Sequence, residues 1–315
     1  MACTDRHCRY FLRLMSPHAL LYSEMVVCDA LIHGDTLRFL GHAADEPVAL
    51  QLGGSDPEKL VHCSKLAEAN GYQEVNLNVG CPSDRVQVGG IGACLMAEAK
   101  LVAECFQAMQ QAVSIPVTIK SRIGINDQDS YEFFESFIST LYAADCRTFI
   151  VHARAAILEG LTPRENRDIP PLKYDYVHRI QQQYPDAVFV LNGGLKSVQD
   201  VMTHQGNAKG VMLGRAIYDN PWLLADLEAH YFDTPTPTES EVLNGIRDYM
   251  IAQLGSDTAL KHMTKHLFGL FNGQPGARAY RRTLSENMFA ENADITIFDE
   301  AVAQVNRSPN FRNAS

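Results

Sequence analysis

At 315 residues the chain is long enough for a barrel of roughly 250 residues plus a modest appendage. A hydrophobic share of 46% and a charged share of 20% are ordinary for a soluble globular protein, and no apolar run approaches the ~20 residues of a membrane-spanning helix. The formal net charge of −10 argues at first against a nucleic-acid partner, because phosphate contacts need Lys and Arg. The segment from Met1 to His7 has no apolar signal core, and the eight cysteines show no CxxC spacing. A cytoplasmic protein with reduced thiols and no zinc site is therefore expected.

In chain order, Asp5–Met15 reads as a helix. From residue 20 to about 225, short apolar runs alternate with amphipathic stretches. Strands are expected at Leu20–Val26, Val48–Leu52, Glu74–Val79, Val117–Ser121, Thr148–His152, Val188–Asn192 and Gly210–Leu213. Helical patterns lie at Pro57–Asn70, Ala97–Val113, Tyr131–Ala144, Tyr174–Tyr184 and Ser197–Gln205. The alternation predicts parallel βαβ units, and buried-type strands fit a closed barrel better than a doubly wound sheet. Gly90-Ile91-Gly92-Ala93 lacks the third glycine of a phosphate fingerprint and reads as a flexible loop. Seven strands are one short of eight, so the expected α/β fold is a TIM (β/α)8 barrel lacking its first strand. The Pro/Thr-rich stretch from Phe232 to Thr238 cannot continue a helix. Helical patterns at about 239–254, 257–271, 276–290 and 295–306 then predict a C-terminal bundle. The expected organisation is a barrel over 1–231, a linker over 232–238 and a helical domain over 239–315.

Charge is distributed unevenly. Residues 1–239 carry 19 Lys+Arg against 29 Asp+Glu, whereas residues 240–315 carry 8 against 8, so the whole excess lies in the first part. Arg278, Arg281 and Arg282 crowd in the neutral tail, and local patches decide where a polyanion docks.

Catalytic residues of a barrel gather at the carboxyl ends of its strands. Those ends read Glu24, Gln51, Asn78 and Cys81, Lys120 and Arg122, His152 and Arg154, Asn192-Gly193-Gly194, then Gly214-Arg215. This recurrence of polar groups is a stronger signal than any member. A lone cysteine is more often a buried small hydrophobe, but Cys81 stands at a strand exit between Gly80 and Pro82, where a thiol can serve as a general acid. Lys120, inside Val117-Thr118-Ile119-Lys120-Ser121, can meet an electron-rich ring or a phosphate, or can snorkel to solvent. His152 follows Phe149-Ile150-Val151 in the same way, with a satisfied core histidine as the alternative. Gln51 could equally cap a loop. Asn192-Gly193-Gly194 and Gly214-Arg215 could let backbone amides approach a phosphate, or form plain turns. Arg164 and Arg167 fall in an irregular loop, where a solvated charge is the default. Arg278 and Arg281 are one helical turn apart and share a face that meets either an RNA backbone or solvent.

The chain resembles the tRNA-dihydrouridine synthases, A subfamily, over nearly its whole length. The resemblance rests on Asn76-Leu77-Asn78-Val79-Gly80-Cys81-Pro82-Ser83, the Gly-rich loop from Gly89 to Met96, Lys120 and His152-Ala153-Arg154. It continues through Asn192-Gly193-Gly194, Gly214-Arg215-Ala216 and Pro275 to Arg282. It implies an FMN-dependent reduction of uridine to dihydrouridine in the D-loop of tRNA, at positions 20 and 20a, with NADPH as reductant. Cys81 would be the proton donor to the uracil ring, at C5, with hydride passing from flavin N5 to C6. Gln51, Lys120, His152, Asn192, Gly193, Gly194, Gly214 and Arg215 would be FMN ligands. Asn78, Arg164, Arg167, Arg278 and Arg281 would contact tRNA. The barrel would then be the FMN-binding domain, the tail the tRNA-binding one, and the enzyme a monomer.

One departure stands out. The family opens on a strand ending Ala-Pro-Met, and an Asp-Trp pair leads into Thr-Asp-Arg-His. Here Ala2 and Cys3 occupy the Asp and Trp positions before Thr4-Asp5-Arg6-His7. The expectation is that the natural chain starts upstream, and that an open seven-stranded barrel would be unstable and bind FMN poorly. Two rival readings are a flavin barrel acting on free pyrimidines, which needs no arginine-bearing tail, and a tRNA-binding module without flavin. The set Gln51, Cys81, Lys120 and His152 speaks against the second.

Overall fold

Seven short alternating runs form seven parallel strands: β1 Leu21–Val27, β2 Val48–Gly53, β3 Glu74–Val79, β4 Val117–Arg122, β5 Thr148–His152, β6 Val188–Asn192 and β7 Gly210–Met212. They pair strictly in chain order, the order of a (β/α)8 barrel carried through seven strands, with β1 and β7 at the two ends of the ladder. The computed structural model describes residues 3–42, 45–256 and 258–305. Among the described residues there is no eighth strand. No disulfide links the cysteines among the described residues. No described helix is long and apolar enough to cross a membrane.

Alternation assigns each strand two faces. Val75, Leu77, Ile119, Phe149, Val151, Phe189 and Leu191 point to one face and are fully buried. Phe149 and Phe189, on neighbouring strands, stack with ring centroids 5.1 Å apart. Glu74, Asn76, Asn78, Thr118, Lys120, Arg122, His152 and Asn192 occupy the alternate positions and so share the other face. Register lines them up in rows: Gln51, Asn76 and Thr118 are partners across β2–β4, Asn78 faces Lys120, and Arg122, His152 and Asn192 continue across β4–β6. The helices between strands are delimited by their caps. Asp56 accepts from the Glu58 and Lys59 amides ahead of Pro57–Ala69, with Pro57 at the first position, and Ser130 accepts from the Phe133 amide ahead of Tyr131–Ala143.

The chain divides into two compact units. The described residues of the first come from Leu20–His42 and Glu46–Leu213, those of the second from Ala2–Ala19, Ala43–Asp45 and Gly214–Ser315. Helices Arg6–Arg13, Trp222–Phe232, Glu239–Leu254, Ala277–Asn287 and Ile295–Val305 of the second unit share one core, in which Phe11, Met15, Trp222, Phe271, Tyr280 and Phe298 are prominent. The Trp222 indole N–H donates to the Leu270 carbonyl at 2.9 Å and the Tyr280 hydroxyl to the Leu267 carbonyl at 3.1 Å. Asp5 caps the first of these helices and pairs with Lys265 and His266, each at 2.8 Å. Burial alone would raise its carboxyl, but these partners hold it well below the usual carboxylate range.

Several expectations need correcting. The division by compactness falls at residue 213, because Trp222 and Ala225 pack into the second core together with Phe11 and Met15. The stretch Asp233–Thr238 is irregular as expected, but lies within the second unit. The pattern at 257–271 yields only the short helix Lys261–Thr264. Beyond it, four-residue turns, each closed by a bond to the carbonyl three positions back, follow at Leu267–Leu270, Gly269–Asn272 and Phe271–Gln274. The segment read as a flexible loop becomes a turn followed by a 3-10 helix, Gly92–Ala97.

Replacing Phe189 by Ala removes a fully buried ring and leaves its stacked partner beside a cavity; chemical denaturation should show a loss of roughly 3–5 kcal/mol, with an unchanged midpoint contradicting this packing account.

Candidate active site

The polar face of the first unit is wired together. The Tyr22 hydroxyl donates to Glu74 at 2.7 Å, as does Thr118 at 2.6 Å. Asn76 donates to the Thr118 hydroxyl at 2.8 Å, Gln51 donates to Asn76 at 2.9 Å, and Asn78 donates to Gln51 at 2.8 Å. Burial raises the Glu74 carboxyl, with the two hydroxyl donors opposing. The row ends at the exit of β3, where Asn78 Oδ1 accepts the amides of both Gly80 and Cys81 at 3.0 Å.

Cys81 is half-buried on a backbone whose polar groups are taken. Its carbonyl accepts from the Ala93 amide at 2.9 Å, and the preceding carbonyl, of Gly80, accepts from Arg122 Nε at 3.2 Å. Gly92 makes this fold-back possible: its φ is +79°, and a Cβ there would lie 2.5 Å from the Cys81 carbonyl oxygen. The thiol therefore projects from a fixed point.

Two cations share this face. Lys120 Nζ donates to Asn192 Oδ1 at 3.0 Å, and Asn192 Nδ2 donates onward to the Met212 carbonyl at 2.7 Å. Burial lowers Lys120 to about 8, with the charge of Arg122 adding and Cys81 opposing. Arg122, 3% exposed, spends its guanidinium on the carbonyls of Gly80, Ala155 and Asn166. Burial lowers it to about 10; Cys81 opposes, and Arg167 and Arg154 add. Among the described residues, neither Lys120 nor Arg122 has a carboxylate partner. Buried cations are ordinarily paired, so a site that gathers buried Arg122 and half-buried Lys120 is suited to an anionic or electron-rich ligand.

His152 and the glycines after β6 lie against each other. Gly193 has φ +108°, and a Cβ there would stand 2.4 Å from the His152 ring, so only glycine fits. The Tyr174 hydroxyl donates to the Gly193 carbonyl at 2.6 Å. The loop after β5 carries exposed Arg164 just before a 3-10 turn, Glu165–Arg167, and exposed Arg167 as its last residue. Fully buried Asn166 pins that turn by accepting from the Ile157 amide at 2.7 Å and donating to the Ile157 carbonyl at 2.8 Å.

The first unit thus brings Gln51, Asn78 and Cys81 together, joins Lys120 to Asn192, and sets His152 on Gly193. Asn78, read as an RNA contact, also uses both polar atoms within the protein. Gly214 and Arg215 belong to the second unit, Gly214 standing just before the short helix Arg215–Asp219. Arg278 and Arg281 lie on helix Ala277–Asn287, whose Ala277, Tyr280 and Leu284 are buried. Arg278 is exposed and Arg281 partly so.

The model of the family described as "Dihydrouridine synthase (Dus)" matches residues 1–306. The chain belongs to the dihydrouridine synthase family. It is 52% identical over 305 residues to the "tRNA-dihydrouridine(20/20a) synthase" of Pseudomonas putida, spanning 96% of this chain and 91% of that one. To the proteins of the same name from Vibrio cholerae and Escherichia coli K12 it is 50% and 51% identical, over 96% of this chain and 93% and 88% of theirs. A solved structure of a 2-naphthoyl-CoA reductase complex aligns with a TM-score of 0.56 at 9% identity, covering 71% of this chain and 46% of that one, which shows a shared fold alone.

In this dihydrouridine synthase family member, the strand exits single out Arg122 without giving it a role, show Asn76 only within the motif that leads to Cys81, and leave Glu74 and Asn166 unmarked. The alternation of Glu74-Val75-Asn76-Leu77-Asn78 was the available signal, since acid and amide groups at every second position of a buried strand need partners across the sheet. For Asn166 the sequence carries no such signal.

Lys120 holds its proton less tightly folded than unfolded, so its charge costs stability near neutral pH, and that cost fades as pH rises from about 8 to the ordinary 10.5. Relative to wild type, Lys120→Met should therefore be most stable at pH 7 and lose that relative advantage by pH 10.5, as read by denaturation across pH; a pH-independent difference would contradict the burial of this charge.

Proposed function

We propose that the protein reduces uridine to 5,6-dihydrouridine in the D-loop of tRNA, at positions 20 and 20a, with FMN as bound cofactor and NADPH as reductant. The observation that carries this reading is a thiol on a fully hydrogen-bonded backbone, beside buried Arg122 and half-buried Lys120, neither of which has a carboxylate partner among the described residues. The family and the printed names of its relatives supply the substrate class.

The donor set fits a flavin mononucleotide. Lys120 and Asn192 would offer a cation and an amide to an electron-rich ring edge, Gln51 a second amide, and His152, lying against Gly193, a ring nitrogen to a phosphate. Gly214 and Arg215 keep their flavin role on resemblance alone. A reduced flavin held there would supply hydride for C6 of the uracil. Cys81 would deliver the proton to C5, its position set by Asn78 and Arg122 before the base arrives. The target base must leave its stack to reach a strand-exit site, and exposed Arg164 and Arg167 would hold the phosphates around it, while Arg278 and Arg281 keep their tRNA role on resemblance alone.

Incubated with NADPH and tRNA lacking dihydrouridine, the flavin-loaded protein should form dihydrouridine in the D-loop, mapped by mass spectrometry, and leave free uridine untouched. Turnover of free pyrimidines without turnover of tRNA would favour the small-molecule reading.

A further inference from the structure

We propose that Gln87 is a positioning residue for the Cys81 thiol, tying the loop that carries the thiol to the loop that carries Arg164 and Arg167. The inference rests on the reading of Cys81 as proton donor and of those arginines as RNA contacts. Gln87 ends the short helix Asp84–Gln87 in the loop after β3. Its side-chain amide donates to two carbonyls, each at 3.0 Å: that of Pro82, the residue after Cys81, and that of Leu158, in the loop after β5. Both amide hydrogens are used, and the two acceptors are 76 positions apart in the chain, counting from 82 to 158.

Neither end of this tie is loose. On the Leu158 side, the Leu158 amide donates to Asn126 at 2.8 Å and the next residue back is locked to Asn166, between the two arginines. On the Pro82 side, the backbone leads directly into the Gly80-Cys81 step already held by Asn78 and Arg122. Arg122 makes a parallel connection, from the Gly80 carbonyl to the Ala155 and Asn166 carbonyls. Two side chains thus bridge the same pair of loops, one on each side of Cys81. A helix-ending glutamine that merely satisfied its own turn would have no need of a carbonyl in a distant loop. Displacement of the arginine loop by RNA must therefore be felt at the residue following the thiol, and a thiol displaced by about 1 Å protonates C5 far more slowly.

The test uses the flavin-loaded full chain and two substitutions, Gln87→Ala and Gln87→Glu. The second keeps the length of the side chain but sets carboxylate oxygens against two carbonyls. Flavin reduction by NADPH should stay at the wild-type rate in both, while tRNA-dependent reoxidation in a single turnover slows by at least about tenfold, with the affinity for tRNA little changed. Independently of any activity, the rate at which N-ethylmaleimide alkylates Cys81, mapped by peptide mass spectrometry, should change severalfold while that of exposed Cys3 does not. Wild-type reoxidation and alkylation in Gln87→Glu would overturn the proposal, as would equal loss of both half-reactions together with the flavin. Should wild type itself show no tRNA-dependent reoxidation, the functional reading fails, and the alkylation rates still decide whether Gln87 holds the thiol.

Discussion

One side-chain oxygen, Asn78 Oδ1, takes the amide hydrogens of both Gly80 and Cys81, and the candidate site is built on that pair of bonds. A chain leaving a buried strand must turn, and its first free amides would otherwise be stranded away from water. Asn78 solves this locally, and is itself aimed by Gln51, which is aimed by Asn76, Thr118 and Glu74 in turn. The direction of the thiol is therefore inherited in part from the register of three strands, and not from the loop that bears it alone. A satisfied polar row of this kind is rigid, because each member loses a partner if any one rotates.

Electrostatics follow from the same face. The chain as a whole carries ten excess negative charges, yet Lys120 and Arg122 bond to amides and carbonyls and, among the described residues, pair with no carboxylate. Uncharged dipoles can hold a cation in place without cancelling its field. The cations therefore remain available to a ligand that brings negative charge, and burial lowers the proton affinity of both.

Much of the fold was legible in the sequence, because burial on both faces forces a strand to announce itself. All seven strands fall within two residues of where the apolar runs place them, and the caps Asp56 and Ser130 mark their helices. What could not be read is what depends on contacts distant in sequence. The pattern of Asp5–Met15 shows a helix, but not that its Phe11 and Met15 join the core containing Trp222. The Pro/Thr stretch correctly marks a break in helix, but a break in helix is not a break in packing. At the site, Cys81, Lys120 and His152 stood out by position, whereas Asn166 and Gln87 look like ordinary loop polar residues until their partners are known. Arg122 is an intermediate case, visible as a charge in a strand but uninterpretable without the three carbonyls it holds.

The most direct measurement is single-turnover formation of dihydrouridine in tRNA by the reduced protein, comparing wild type with Cys81→Ala at matched flavin content. Loss of a positioned general acid should slow product formation by roughly 10²–10⁴-fold while flavin reduction and tRNA affinity persist. Product formed by Cys81→Ala at the wild-type rate would contradict the account, because the hydrogen-bonded backbone would then be holding a group the reaction does not use.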